Sequence, residues 1–175
     1  WYGSESDIIL QKDAWLSIEE NTLITEFSWN RTKKEKLNLN EEIYITESLY
    51  DSLFLDNSIA SNGIISLLCI PKKLKNKNLI FILDNEKTPL IYKINTNLLK
   101  MNYSVFLWPS ERGQGKDFNE YVNKLYFNYK NVNIQEKEKY ISIAKSEIKK
   151  LIYNKNNIIK GSEGLEKYEK WFFNK

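Results

Sequence analysis

The sequence predicts an α/β fold: a mostly parallel central sheet of about four strands flanked by helices, with a C-terminal helical appendage. Two observations carry this prediction. Between residues 41 and 127, short apolar segments rich in β-formers alternate with segments of helical periodicity. A strand–helix–strand order requires crossover connections, which make neighbouring strands parallel.

The chain of 175 residues is predicted to contain three regions. Residues 1–40 form an N-terminal segment with one or two strands, including 23–29, and an exposed turn beginning at Arg31. Residues 41–127 form the main α/β domain, and residues 128–175 form the helical C-terminal region. Because the chain begins with Trp1 and shows no signal-peptide pattern, we expect a fragment or a processed chain.

The main domain is expected to begin with a buried strand at Ile43–Thr46, since this apolar run is too short for a helix. A helix follows to about residue 55. Ser48 is suited to its N-cap, and Asp51, three residues on, resembles the acidic member of a capping box. A short strand at 58–61 then ends at a turn that contains Gly63.

The clearest strand is 79–83, which is continuously apolar and therefore suited to the centre of a sheet. Thr88 and Pro89 are typical of an N-cap and first helical position, so a helix is predicted to run to about residue 102. Another strand, 103–108, ends at Pro109. A glycine-containing loop then leads to a helix predicted at about 118–125.

The C-terminal region is predicted to be helical. Residues 134–152 carry apolar side chains at helical spacing. Gly161 and Gly164 are expected to interrupt the pattern, and a short terminal helix follows them.

Composition excludes several classes of function. The chain has no histidine, which rules out Ser-His-Asp triads, Cys-His dyads and HExxH metalloproteases. Cys69 is the only cysteine, so neither an internal disulfide nor a zinc ribbon can form within the chain. No apolar run approaches the ~18 residues of a membrane span. The net charge of +3 is mild, and the many lysines indicate a solvated surface.

Acidic residues follow three of the predicted strands. Glu47 follows the first, Asp84 and Glu86 follow the strand at 79–83, and Asp117 follows the loop after the third. Ligands of open α/β sheets bind beyond the carboxyl ends of the strands, so these acids are expected at one rim. An all-oxygen cluster favours Mg²⁺ or Mn²⁺, and such a rim is suited to chemistry on phosphates. Taken alone, each acid is more often explained by a turn or capping role, because loops are polar and helix starts favour acids.

The segment 43–53 (IYITESLYDSL) resembles the first motif of the Toprim domain: an apolar strand, a Glu followed by a small residue, and an Asp four residues after that Glu. The segment 79–86 (LIFILDNE) resembles the second motif, an apolar strand that ends in Asp-x-Asp. The segment 58–63 (SIASNG) lies between them, where the family has a short strand and a glycine turn.

Within the Toprim proteins, the chain is most similar to the DNA primases of large tailed phages. They resemble it in having Asp-Asn-Glu as the second motif, and at 103–109 (YSVFLWP), 115–120 (GKDFNE) and 164–171 (GLEKYEKW). Two departures stand out. Ser48 occupies the position after the motif Glu, where the family usually has Gly, and the third motif is reduced to Asp117.

The resemblance implies an enzyme that makes short RNA primers on a single-stranded DNA template from ribonucleoside triphosphates. It also implies that a replicative helicase is a partner. Such primases have an N-terminal zinc-binding module that recognises the template, and this module is not part of this chain. Glu47 and Asp51 would be catalytic. The metal ligands for Mg²⁺ or Mn²⁺ would be Asp84, Glu86 and Asp117. Nucleotide or template would contact Gly63, Lys72, Lys73 and Lys116, although a solvated loop explains the lysine run as well.

Other functions stay open at this point. The Toprim fold also serves topoisomerases and metal-dependent nucleases, and a non-catalytic Toprim module could serve protein contacts alone. A topoisomerase would need a catalytic tyrosine in a separate domain. We expect a cytoplasmic protein, in the host cytoplasm if it is phage-encoded, with no membrane partner.

Overall fold

The computed structural model describes residues 30–31, 37–52, 54–61, 63–68, 70–109, 115–118, 120–121 and 134–174. The chain divides into two compact units, the first ending at Leu79 and the second beginning at Ile80. The strand predicted at 23–29 lies outside the described residues, as do residues 122–125 of the predicted helix at 118–125. The domain boundaries predicted at residues 40 and 127 therefore stay predictions.

The first unit contains a parallel strand pair and a short antiparallel addition. Its strands are β1 (Asn30–Arg31), β2 (Ile43–Thr46) and β3 (Ser58–Ala60), and its helix is α1 (Leu49–Ser52). Strand β3 pairs parallel with β2 and antiparallel with β1. All seven residues of β2 and β3 are buried, as expected of strands covered on both faces. Arg31 belongs to β1 and pairs with Ile59, which corrects the prediction that an exposed turn begins there.

The second unit is built around strands β4 (Leu79–Ile82), β5 (Ser104–Phe106) and β6 (Ile158–Lys160). Its helices are α2 (Pro89–Lys100), α3 (Ile134–Tyr153) and α4 (Gly161–Phe173). Strand β5 pairs parallel with β4 and antiparallel with β6. Helix α2 packs on β5 and on α4, and α4 also packs on β6.

The α/β class is confirmed, and the parallel pairing is confirmed between β2 and β3 and between β4 and β5. The start of α2 is also confirmed, because the Thr88 hydroxyl accepts a hydrogen bond from the Ile91 N–H and Pro89 occupies the first turn. The sequence predicts about four strands, and the described residues contain two further antiparallel strands, β1 and β6, which have only two and three residues. Strands this short leave almost no periodic signal in a sequence.

The C-terminal region differs from the predicted appendage. It contributes β6 to the sheet and packs α4 against α2, so it is part of the second unit rather than an addition to it. Gly161 is the first residue of α4 and has a φ of +63°, so it marks the predicted break before the terminal helix, whereas Gly164 lies within α4 and does not interrupt it. A Cβ at Gly164 would lie 3.0 Å from the Ile159 carbonyl carbon and 3.3 Å from Leu99 Cδ2, so this glycine allows α4 to pack closely.

Candidate active site

Three of the predicted acids lie in neighbouring loops of the second unit. Asp84 and Glu86 follow β4, and Asp117 precedes a helical turn to which residues 118, 120 and 121 belong. Burial raises the pKa of Asp84 above its usual range, and the negative charges of Asp117 and Glu86 raise it further. The three carboxylates are therefore close enough to interact electrostatically, although Asp117 is about thirty residues away in sequence.

Lys116 is the cation of this cluster, which we call the acidic loop site (Asp84, Glu86, Lys116 and Asp117). Its Nζ atom lies 3.0 Å from Glu86 Oε1 and 3.5 Å from Asp84 Oδ2. The hydrogen bond that the Lys116 ammonium donates to Glu86 and the charges of both carboxylates raise the pKa of Lys116. The same lysine lowers the pKa of Asp84, in opposition to burial. Lys116 thus partly neutralises a pair of carboxylates that repel each other.

Asn85 joins the two loops of the site. Its backbone N–H donates a 2.6 Å hydrogen bond to the Lys116 carbonyl, and its Nδ2 donates at 3.2 Å to the Gly115 carbonyl. Asp84 and Glu86 flank Asn85 and share the ion pairs with Lys116. Sequence reasoning gave Asn85 no role. The available signal was its place between two acids, because alternate residues of an extended segment point to opposite sides.

Gly115 permits the close approach that this connection needs. It is buried, and a Cβ placed on it would lie 2.2 Å from the Tyr121 backbone N and 2.5 Å from the Glu120 carbonyl carbon. No side chain can occupy that space while the helical turn stays in place. Gly115 therefore sets the distance between the loop and the turn that carries Asp117.

Trp108 holds the backbone at Leu83, directly before the acidic residues Asp84 and Glu86. Its indole Nε1 donates a buried 2.8 Å hydrogen bond to the carbonyl of Leu83, the residue before Asp84. The Trp108 ring packs against Phe106 and Phe118, with ring centroids 5.4 and 5.3 Å away. An aromatic cluster of this kind is rigid because its rings fill the space between elements at close packing.

Asp117 also caps the helical turn that follows it. Its Oδ1 accepts a 2.7 Å hydrogen bond from the Glu120 N–H, and Glu120 Oε2 accepts a 2.6 Å hydrogen bond from the Lys116 N–H. The capping role that the sequence left open for Asp117 is therefore present. This role does not exclude a ligand role, since a carboxylate has a second oxygen and several lone pairs.

Glu47 lies in the first unit, directly after β2, and is partly buried. Its carbonyl accepts a 3.3 Å hydrogen bond from the Gly63 N–H, and the Thr46 carbonyl accepts one from the Ser61 N–H. These bonds bring the predicted residues Glu47 and Gly63 together at the carboxyl ends of β2 and β3. Gly63 has a φ of +131°, a conformation that side chains rarely adopt.

Asp51 and Ser48 lie at the start of α1, as the sequence predicted. The Ser48 carbonyl oxygen accepts two hydrogen bonds, one from the Ser52 N–H and one from the Thr46 hydroxyl. Asp51 is in the first turn of α1 and only 5% exposed.

The predicted lysines of the first unit are exposed on a turn. Lys72 and Lys73 both face solvent. Leu74, the next residue, is buried and holds the turn to the core. The Leu74 N–H donates a 2.8 Å hydrogen bond to the Pro71 carbonyl. Exposed ammonium groups on an anchored turn can contact phosphates at little cost in desolvation.

The acidic loop site has the donor chemistry that Mg²⁺ or Mn²⁺ requires, namely carboxylate oxygens. The ammonium group of Lys116 acts there as a stand-in cation between Asp84 and Glu86. The residues that the structure describes contain no group of three or more His, Cys, Asp or Glu side chains arranged to hold a metal ion. The carboxylates of the acidic loop site thus fit a divalent cation by the chemistry of their oxygens, while the cation that the structure places against Asp84 and Glu86 is the ammonium of Lys116.

No protein-family model matches the chain, and no curated protein sequence matches it. Among the helices that the structure describes, none is long and apolar enough to cross a membrane. The resemblance to Toprim primases thus rests on the sequence motifs, and the assigned activity stays a prediction.

Proposed function

We propose that the chain is the catalytic part of a DNA primase, which synthesises short RNA primers on single-stranded DNA from ribonucleoside triphosphates. One observation carries the proposal. Lys116 forms ion pairs with Asp84 and Glu86, which follow β4, and Asp117 lies close enough to Asp84 to raise its pKa. The position beyond the carboxyl ends of two parallel strands is the one at which α/β folds bind ligands.

In this proposal, Asp84, Glu86 and Asp117 hold Mg²⁺ or Mn²⁺. The metal ion supplies neutralisation of the triphosphate charge and activation of the primer 3′-hydroxyl. Lys116 contacts nucleotide phosphates, and Lys72 and Lys73 contact the backbone of the template.

Glu47 is the proposed acid/base: it takes the proton of the 3′-hydroxyl as that oxygen attacks the α-phosphorus of the incoming nucleotide and pyrophosphate leaves, with Asp51 supporting Glu47 from α1. Glu47 is suited to this role because it is only partly buried, whereas Asp51 is almost fully buried. Gly63, bonded to the Glu47 carbonyl, would shape the backbone against the nucleotide. A replicative helicase is the proposed protein partner, and the host cytoplasm is the proposed compartment.

The test is an assay that detects synthesis and cleavage at once. The full chain is incubated with 5′-labelled single-stranded DNA, the four ribonucleoside triphosphates, one of them labelled, and Mg²⁺. We expect new short RNA and intact DNA. Cleaved DNA without RNA would identify a nuclease instead, and the absence of both products would favour a non-catalytic module.

The variants for this assay are Glu47→Gln and, as a matched control, Glu42→Gln. Glu42 precedes β2, whereas Glu47 follows it. Glu42 is exposed, and its carboxylate accepts a hydrogen bond from the Tyr44 hydroxyl. Removal of a general base typically slows a reaction by about 10²–10⁴-fold. We therefore expect Glu47→Gln to lose primer synthesis with unchanged thermal stability, while Glu42→Gln keeps it. Near-normal synthesis by Glu47→Gln would remove Glu47 from the mechanism.

A further inference from the structure

We propose that Lys116 is a displaceable counter-ion: it occupies the cation position of the acidic loop site, leaves when a divalent cation binds, and then contacts the nucleotide. The inference rests on the proposed function and adds how the site is controlled. It assigns one side chain two successive partners, the carboxylates of Asp84 and Glu86 first and a phosphate group second.

The first argument is competition for the same oxygens. Lys116 Nζ lies 3.0 Å from Glu86 Oε1 and 3.5 Å from Asp84 Oδ2, so it bridges the two carboxylates predicted to bind the metal. A divalent cation held by these carboxylates would lie within a few ångströms of the ammonium group, and the two positive charges would repel each other strongly. Metal and ammonium should therefore exclude each other.

The second argument is that only the end of Lys116 can move. Its backbone is fixed on both sides, by the hydrogen bond from the Asn85 N–H to its carbonyl and by the bond from its own N–H to Glu120. The side chain, by contrast, is 49% exposed, so its ammonium can turn into water without unfolding the loop. The fixed backbone keeps the released ammonium within reach of whatever the acids bind.

The third argument is charge balance before the metal arrives. Asp84 is only 17% exposed in its side chain, and the negative charges of Glu86 and Asp117 act on it. An unpaired carboxylate at this depth is costly, so the lysine stabilises the metal-free site. When the metal takes over this neutralisation, Lys116 is free to pair with the negative charge of a triphosphate.

These arguments predict opposite effects of a single substitution on two ligands. Removing the charge of Lys116 should strengthen the binding of the metal, because a competitor is lost. It should weaken the binding of nucleotide to the metal-loaded protein, because a phosphate contact is lost. A lysine that only stabilises the loop would change both affinities in the same direction through loss of structure.

The experiment measures Mn²⁺ binding by electron paramagnetic resonance, using the full chain, Mn²⁺ alone and no nucleotide. The variants are Lys116→Met, which keeps the apolar stem, and Lys116→Gln as a second neutral substitution. Lys93→Met is the matched control, since Lys93 is an exposed lysine on α2 and its loss changes the net charge equally. Asp84→Asn shows whether the bound Mn²⁺ is at the acidic loop site. Circular dichroism checks that each variant is folded.

Partly exposed ion pairs contribute modestly, so we expect Lys116→Met and Lys116→Gln to bind Mn²⁺ about three- to tenfold more tightly than wild type. Lys93→Met should match wild type. With saturating Mn²⁺, a non-hydrolysable nucleoside triphosphate should bind both Lys116 variants about tenfold more weakly, as expected for loss of a charge-assisted phosphate contact.

Each other outcome overturns a specific statement. If wild type binds Mn²⁺ through Asp84 but the Lys116 variants bind it equally or more weakly, the counter-ion role is wrong and the proposed metal site stands. If nucleotide affinity is unchanged, the second partner of Lys116 is wrong. If wild type binds no Mn²⁺, or Asp84→Asn binds it normally, the metal site of the proposed function fails, and the inference fails with it.

Discussion

Gly115→Ala adds one methyl group where the second unit has no room for it. The new Cβ would lie 2.2 Å from the Tyr121 backbone N, whereas ordinary contacts begin at about 3.4 Å, so the loop and the helical turn must separate by about 1.2 Å. Both groups belong to the backbone, so no rotamer change relieves the contact. Overpacking of this kind typically costs 1–3 kcal/mol, and we expect about 3 kcal/mol here.

Urea unfolding followed by tryptophan fluorescence measures this cost. For a small protein with an m-value of about 2 kcal/mol/M, a loss of about 3 kcal/mol lowers the midpoint by about 1.5 M. The same variant should bind Mn²⁺ more weakly, because the turn that moves carries Asp117, and Asn85 is bonded to the Gly115 carbonyl. A shift in stability and a loss of binding are therefore expected together.

Gly161→Ala is the control for this experiment. Its φ of +63° costs an alanine about 1 kcal/mol, but its nearest neighbour is a side-chain atom, Asn102 Oδ1 at 3.2 Å. We expect a small loss of stability and unchanged Mn²⁺ binding. If Gly115→Ala unfolds at the same urea concentration as wild type and binds Mn²⁺ equally, the loop is not held against the turn, and our description of the site is wrong.

Two further predictions concern pH. Burial raises the pKa of Asp84, so the folded protein is most stable with Asp84 protonated and loses stability as the pH rises from the unfolded pKa near 3.8 through the folded pKa. When unfolding is measured at pH 7 in EDTA, Asp84→Asn should therefore be more stable than wild type, although it loses primer synthesis. A lower stability of Asp84→Asn would contradict this prediction. Burial likewise raises the pKa of Tyr168 to about 12, so wild type should lose stability between about pH 10 and 12 as the pH approaches that value. Tyr168→Phe should be about 1 kcal/mol less stable at pH 7, because the Asn95 amide loses its hydrogen-bond partner. Its free energy of unfolding should, however, change less with pH in that alkaline range. The same pH dependence in both proteins would refute the raised pKa of Tyr168.

The local sequence pattern was sufficient to predict those elements whose structure depends on residues close together in the chain. The strands β2 and β4 follow from apolar runs that are buried along their whole length. The start of α2 follows from Thr88 and Pro89, since a cap acts on the first turn alone. The positions of Glu47, Asp84 and Glu86 directly after their strands could be predicted in the same way.

The failures of prediction share one cause, which is that contacts between distant residues decide them. Strand β6 has three residues and exists because it pairs with β5, more than fifty residues earlier in the chain. Gly164 stays helical because α4 packs closely against Ile159 and Leu99. Neither partner can be identified from a sequence window, since tertiary contact overrides local propensity.

The sequence by itself determined the alternation of elements, the kinds of residue available for chemistry, and which acids follow which strands. Only the tertiary structure decided that Lys116 stands between Asp84 and Glu86, and that Asn85 holds the two loops together. The physical reason is the distance in sequence over which each kind of interaction acts. Hydrophobic periodicity acts over a few residues, whereas an ion pair between residues 84 and 116 forms only after β4 and β5 have paired and carried their loops to the same place.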